Sequence, residues 1–258
     1  MVFRKLFPEI YDSTNPLVFM GRAKQSALSE SITLLVWNVY KTRKSGWYSD
    51  FLNLVNKTDL VLLQESVLNN LDNSKFEKTD RFEWIMACSH KYRLSQVITG
   101  LKTGCVAQSN AQILLHSPDK EPILNTSKLM LATRYPLESS LKQLLVLNVH
   151  AINFVTLKKY ASHINQILSV IHHHTGPIIL AGDFNCWNDA RIKLLFERIK
   201  NAGLTTVTLD RKTRWHQLNH HLDYIFYRDL QLKNAQTLSS IHSSDHFPIM
   251  AEFVVNNS

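Results

Sequence analysis

Cysteine is scarce in this chain, with only Cys88, Cys105 and Cys186 in 258 residues. An odd number spread so widely builds no disulfide framework and no cysteine-rich metal site, and it suits a reducing compartment. Long apolar runs are also missing, and none approaches the roughly 20 residues that a membrane-spanning helix needs. The opening "MVFRKLFPEIYDSTNPLVFM" is broken by Pro8, Glu9, Asp12 and Pro16, which makes it a poor signal peptide. Acids are outnumbered: 21 Asp and Glu stand against 29 Lys and Arg, a formal charge of +8. That balance favours an anionic partner such as nucleic acid, a phospholipid headgroup or another phosphate ester. There are no repeats, low-complexity tracts or linkers, and nothing calls for an obligatory protein partner. The expectation is a cytoplasmic, soluble monomer without a transmembrane segment.

What is present is a core. Hydrophobic residues make up 45% of the chain, enough for one large domain, expected over residues 31–258, with residues 1–30 as an arm packed on it or frayed from it. "ITLLVWNVY" (32–40) has the apolar, β-branched and aromatic profile of a buried strand. Trp47, Phe51, Leu54 and Val55 then recur at helical spacing, and "DLVLLQES" (59–66) is a second buried strand. Residues 82–147 divide into short strand-like segments with turn residues between them, the pattern of an antiparallel sheet. The 156–174 segment carries Leu157, Tyr160, Ile164, Ile167, Leu168 and Ile171 on one helical face and is expected to stop at Gly176-Pro177. The strand "PIILAGDFN", a helix around 189–202 and strands "LDYIFYR", "LQLKNAQTLSS" and "PIMAEFVV" complete an α/β chain.

The polar residues follow a rule. Four apolar strands run into Asn38, Glu65, His150, and Asp183 with Asn185, and two late segments add Asp223 and the pair Asp245 and His246. A buried carboxylate or imidazole is costly unless it is paired or metal-bound, and strand ends are where a scaffold holds such groups rigidly. Each has a structural alternative: Asp-x-Asn as a turn or cap, Asp189 capping the next helix, Glu65 as a salt-bridged strand end, Asn38 as a satisfied core amide. The run His172 to His174 reads as a basic helix end, because adjacent helical residues point in different directions.

Taken in order, "WN", "QE", "NVH", "GDFN", "LDYIF" and "SDH" closely resemble the endonuclease/exonuclease/phosphatase superfamily. Within it, "WNVYK", "NVHAINF", "GDFNCW" and "SSDHFP" are most similar to the bacterial YafD-like branch. The resemblance implies an α/β fold of four layers, in which two central, mainly antiparallel mixed sheets are flanked by helices, and divalent-metal-dependent phosphoester hydrolysis. It also implies roles. Asp183 positions or deprotonates the attacking water, Asn185 donates to the phosphate, and His246, oriented by Asp223, contacts the phosphate or takes a proton. His150 matches a histidine set against the scissile group, although no acid near "LKTGCVAQ" stands ready to partner it.

The residue types suit this chemistry. Glu65, Asn38 and Asp245 form a sparse oxygen set appropriate to Mg²⁺ or Mn²⁺, whereas zinc prefers His and Cys. Trp187, Arg214 and Trp215 are candidate substrate contacts, with packing an equal alternative for either Trp. Three functions compete: a nuclease or phosphodiesterase on nucleic acid, favoured by charge; a phospholipid or small-phosphoester hydrolase, sphingomyelinase-like or phosphatase-like; and a catalytically inactive binding module, disfavoured because such a module has no need of the full polar set.

Overall fold

The computed structural model describes residues 8–11, 16–68, 74, 76, 79–122, 125–138, 140–209 and 222–256. Two β-sheets pack face to face, and helices cover their outer faces. In the first sheet the segment "SITLLVWN" forms β3 (Ser31–Asn38), followed by α1 (Trp47–Val55) and β4 (Leu60–Leu68). The two strands pair in parallel, Leu34 opposite Leu60. A hairpin of β5 (Glu83–Lys91) and β6 (Ile98–Cys105) pairs antiparallel on the far side of β4, while β14 (Ile249–Val255) and β13 (Leu230–Thr237) extend the sheet beyond β3. Near the amino terminus, β1 (Glu9–Ile10) and β2 (Leu17–Gly21) line up along the outer edge of β5. The sheet thus has eight strands among the described residues.

The second sheet repeats this logic. β9 (Ser140–His150) leads through α2 (Leu157–Ser169) into β10 (Ile178–Asp183), parallel to it, with Leu145 opposite Ile178. β8 (Leu129–Leu137) and β7 (Ala111–His116) continue on one side, and β12 (Asp223–Arg228) and a two-residue β11 (Thr205–Thr206) on the other. The final helix, α3 (Asp189–Asn201), packs with α2. All but the two β-α-β pairs are antiparallel, so the sheets are mixed, as the sequence predicts. The apolar runs are explained by burial on both faces. Val36, Leu62, Val146 and Ile179 meet between the sheets, Phe51 and Val55 of α1 cover the first sheet, and Tyr160, Ile164, Leu195 and Ile199 cover the second.

Two helix boundaries differ from the sequence reading. Asn188, not Asp189, caps α3, its side chain accepting from the Arg191 N–H, while Asp189 sits in the first turn where the helix dipole favours an acid. α2 ends at Ser169, so His172 to His174 lie beyond the helix. The ring of His174 instead reaches the carbonyls of Gln143 and Pro177 at 3.0 and 3.2 Å and ties the turn to β9. No helix among the described residues is long and apolar enough to cross a membrane.

One buried side chain sets an acid limit on this packing. His163 of α2 is fully buried and accepts the Ile152 N–H at Nδ1, 3.1 Å away. Burial, reinforced by Lys128, pulls its imidazole down to about 4. Between its ordinary value near 6.5 and that folded value, the unfolded chain holds a proton the native state refuses, so stability falls as pH falls, by about 1.4 kcal/mol per pH unit. His163→Asn keeps an acceptor and removes the titration. The gap in urea-unfolding free energy between pH 7 and pH 5 should then narrow by about 2 kcal/mol. An unchanged gap would show that another group sets the acid limit.

Candidate active site

The carboxyl ends of the two parallel pairs converge at one end of the sandwich, and the inner faces bring their side chains together. Gln64 Nε2 donates to Asn148 Oδ1 across the gap at 2.8 Å, and one turn of pleat further on Asn38 Nδ2 donates to Asp183 Oδ2 at 3.1 Å. Gly182 makes this approach possible. Its φ is +140°, and a Cβ there would lie 2.0 Å from the Val149 carbonyl oxygen. Only glycine allows β10 to lie this close to β9, which sets Asp183 in register with His150 on one side and with Asp223 of β12 on the other. The segment before β14 is fastened to the same end by Ser244 Oγ donating to the Asn38 carbonyl at 2.6 Å and Trp37 Nε1 donating to the His246 carbonyl at 3.1 Å.

Glu65 arrives differently. β4 does not end there, as the sequence suggests, but runs on to Leu68 with a bulge: Glu65 has φ +51° and the pairing with β6 shifts register between Leu63 and Ser66. A bulge re-aims one side chain without ending the strand, and here it turns Glu65 into the cleft. Tyr40, Lys41 and Thr42, just after β3, also hold positive φ, at 49°, 54° and 56°. That strained turn delivers the Lys41 ammonium to Glu65 Oε2 at 2.5 Å.

The cleft encloses about 330 Å³ and is lined by Lys41, Glu65, Lys128, His150, Asp183, Asn185 and His246, among others. Its charges are balanced by contact. His246 Nδ1 and Asp223 Oδ2 are 2.6 Å apart. Burial alone would pull the His246 imidazole down, but Asp223 beside it outweighs this and holds it up at about 10, as an imidazolium. Burial pushes the Asp183 carboxyl well above the ordinary range, against the pull of His246. His150, 3.5 Å from Asp183, is driven the other way: burial first, then the cations Lys128 and Lys41, keep it neutral. Its Nε2 lies 3.1 Å from the Lys128 ammonium, which has only donors, so Nε2 accepts and the ring proton sits on Nδ1.

Asn38, Glu65, His150, Asp183, Asn185, Asp223, Asp245 and His246 therefore stand at one end of the fold, with Asp245 beside His246 and its Oδ1 3.3 Å from Ser244 Oγ. Trp187 does not line the cleft. Its Nε1 donates to Asn153 Oδ1 at 2.8 Å and the Arg191 guanidinium lies 4.9 Å from its ring, contacts that fix Asn153 from outside the cleft. Arg214 and Trp215 lie outside the described residues. Three residues that sequence reasoning did not weigh belong to this site. Lys41 and Asn153 stand in the quoted "WNVYK" and "NVHAINF", whereas Lys128 precedes β8 with no motif around it. Asn153 is a hub: its Nδ2 donates to Asn185 Oδ1 at 2.7 Å, its N–H donates to Glu121 Oε1 at 3.0 Å, and Oδ1 accepts from Trp187 and from the Phe154 N–H.

The donor set fits a hard divalent cation. Asp183, Asp223 and His246 offer ligand atoms all within 4.8 Å of one another, and Asp223 Oδ1 is buried without a hydrogen-bond partner among the described residues. His246, paired with Asp223 as an imidazolium, has no lone pair to give, and Cys186 is held by the Tyr160 hydroxyl at 2.9 Å, so the donors offered to a cation are carboxylate oxygens, with Glu65 in the cleft adding its own.

Residues 35–246 match the sequence model of the Endonuclease/Exonuclease/phosphatase family. A UPF0294 protein of Erwinia tasmaniensis is 34% identical over 229 residues, which cover 88% of this chain and 82% of that one. Among solved structures, an endonuclease/exonuclease/phosphatase from Beutenbergia cavernae superposes with a TM-score of 0.71 at 13% identity, over 88% of this chain and 72% of that chain. The human Nocturnin catalytic domain with bound sulfate superposes with a TM-score of 0.67 at 15% identity, over 93% and 98% of the two chains. The chain belongs to the Endonuclease/Exonuclease/phosphatase family.

Proposed function

We propose that this protein is a divalent-metal-dependent phosphodiesterase acting on nucleic acid. The observation that carries the reading is the Asp183 carboxylate, held by the Asn38 amide beside neutral His150 in a cleft that also presents the His246 imidazolium. Asp183, whose proton affinity burial raises, takes the proton of the attacking water. His246, kept cationic by Asp223, stabilises the charge that grows on the phosphoryl oxygens. Asn185 spends one N–H of its amide on the Ala151 carbonyl, 2.9 Å away, and offers the second to the phosphate. His150, neutral and anchored to Lys128, orients that ammonium toward the anion. A bound Mg²⁺ or Mn²⁺ supplies Lewis acidity to the phosphate. Glu65, with Asn38 and Asp245, would hold it, Lys41 yielding its place on Glu65.

The net charge of +8 supports a polyanionic substrate. A phospholipid or small phosphoester is the second reading, supported by the exposed Phe154 in the cleft lining, 62% accessible. An activity panel with Mg²⁺ or Mn²⁺ over plasmid DNA, single strands, RNA, sphingomyelin and phosphoinositides separates the two. Turnover should vanish in EDTA. Glu65→Gln should raise the half-saturating metal concentration by more than the about 10–100-fold that loss of an outer partner costs, with the thermal melt little changed. Full activity after exhaustive metal removal would reject the metal requirement.

A further inference from the structure

We infer that Phe154 is the ring on which a base of the substrate stacks beside the cleaved phosphate. The inference rests on the nucleic-acid reading above and specifies which residue recognises the nucleotide. Phe154 lines the cleft yet leaves 62% of its surface in solvent, an unfavourable position for a phenyl group without a ligand. Its backbone is strained as well, with φ +52°, a conformation L side chains rarely adopt. Strain of this kind persists only where neighbours impose it. Here they do: the Phe154 N–H donates to Asn153 Oδ1 at 2.8 Å, and Asn153 is pinned by Trp187, Glu121 and Asn185. Asn185 in turn donates its N–H to Asp183 Oδ1 at 2.9 Å. The backbone that carries this exposed ring is thus held, through two side chains, at a fixed place relative to the Asp183 carboxylate.

The place of the ring points to a planar ligand. It is exposed in the lining of a cleft whose other groups suit a phosphate, and a base offers a π-face next to a phosphate. The Lys41 and Lys128 ammonium groups in the same cleft suit that phosphate. Trp187 serves this arrangement from behind, its ring covered by Arg191 and its N–H committed to Asn153.

The test compares two diesters with one leaving group: the p-nitrophenyl ester of thymidine 5′-monophosphate, which carries a base, and methyl p-nitrophenyl phosphate, which does not. The wild-type protein should prefer the first in kcat/KM, and Phe154→Ala should reduce that preference by about 5- to 150-fold, the loss of one stacked base. Phe154→Trp should restore it and Phe154→Leu should not. Equal losses on both esters would make Phe154 a loop-packing residue and overturn the inference while leaving the phosphodiesterase reading intact. So would a Phe154→Ala protein that loses turnover on sphingomyelin vesicles but keeps its preference for the nucleoside ester. A wild-type protein that cleaves neither ester in Mg²⁺ or Mn²⁺ would overturn both.

Discussion

Asp223→Asn should lower turnover by about three orders of magnitude, and adding His246→Ala should cost little more. On the proposed mechanism the two side chains act as one unit, the carboxylate fixing the imidazolium and its charge across a 2.6 Å contact. The amide removes the largest of the negative charges that offset burial, so His246 holds its proton less tightly and the cation beside the phosphate is weakened. A pH profile separates this from a packing defect. In the wild-type protein the ring stays protonated up to about pH 10, so it contributes no alkaline fall in rate below that point. In Asp223→Asn, only the more weakly acting Asp183 and Asp245 still oppose burial, and the alkaline limb should move down from that point toward neutral. Turnover measured on one verified substrate for Asp223→Asn, His246→Ala and the double variant decides the matter: losses that multiply would mean two independent roles, and near-normal rates in Asp223→Asn would mean no dyad.

That pairing was legible only as a resemblance, because Asp223 and His246 are 23 residues apart and meet through loop geometry. The buried strands were legible directly: "LLVW" and "LVLL" are apolar on both faces because each is covered by the other sheet and by α1. The bulge at Glu65 was not. "LLQES" keeps its apolar rhythm up to Glu65, and the register slip exists only against β6, a partner some 35 positions along the chain. Lys128 was hidden for a similar reason. It approaches His150 because β8 pairs with β9, and nothing in "NTSKLM" marks one lysine among many. Aromatic residues are ambiguous in sequence for a physical reason too. A buried ring and an exposed one have the same composition, and only the structure shows that the Trp187 indole N–H is committed to Asn153 while Phe154 is left exposed.

The same loops supply the second large effect, which bears on stability. Arg191, three residues past the cap of α3, is 1% exposed, and its guanidinium donates to the carbonyls of Ile152, Asn185 and Val155 at 3.3, 3.0 and 2.9 Å. Its flat face lies 4.5 Å from the Tyr160 ring and 4.9 Å from Trp187. One side chain therefore clamps the turn carrying Asn185 to the turn carrying Asn153 and Phe154. Arg191→Met keeps much of the stem's packing but leaves three carbonyls without their donor, at a cost of about 3–5 kcal/mol in total. Arg191→Lys should recover little, because an ammonium lacks the planar fork that reaches several acceptors at once and covers an aromatic face. Urea unfolding at pH 7 reads the loss directly. If both variants unfold within about 1 kcal/mol of the wild type, the carbonyls find other donors and the clamp is not what holds these turns. If Arg191→Met is strongly destabilised, the strained backbone at Asn185 and Phe154 is being held by a residue outside the cleft, and the geometry of the site depends on the packing of α3.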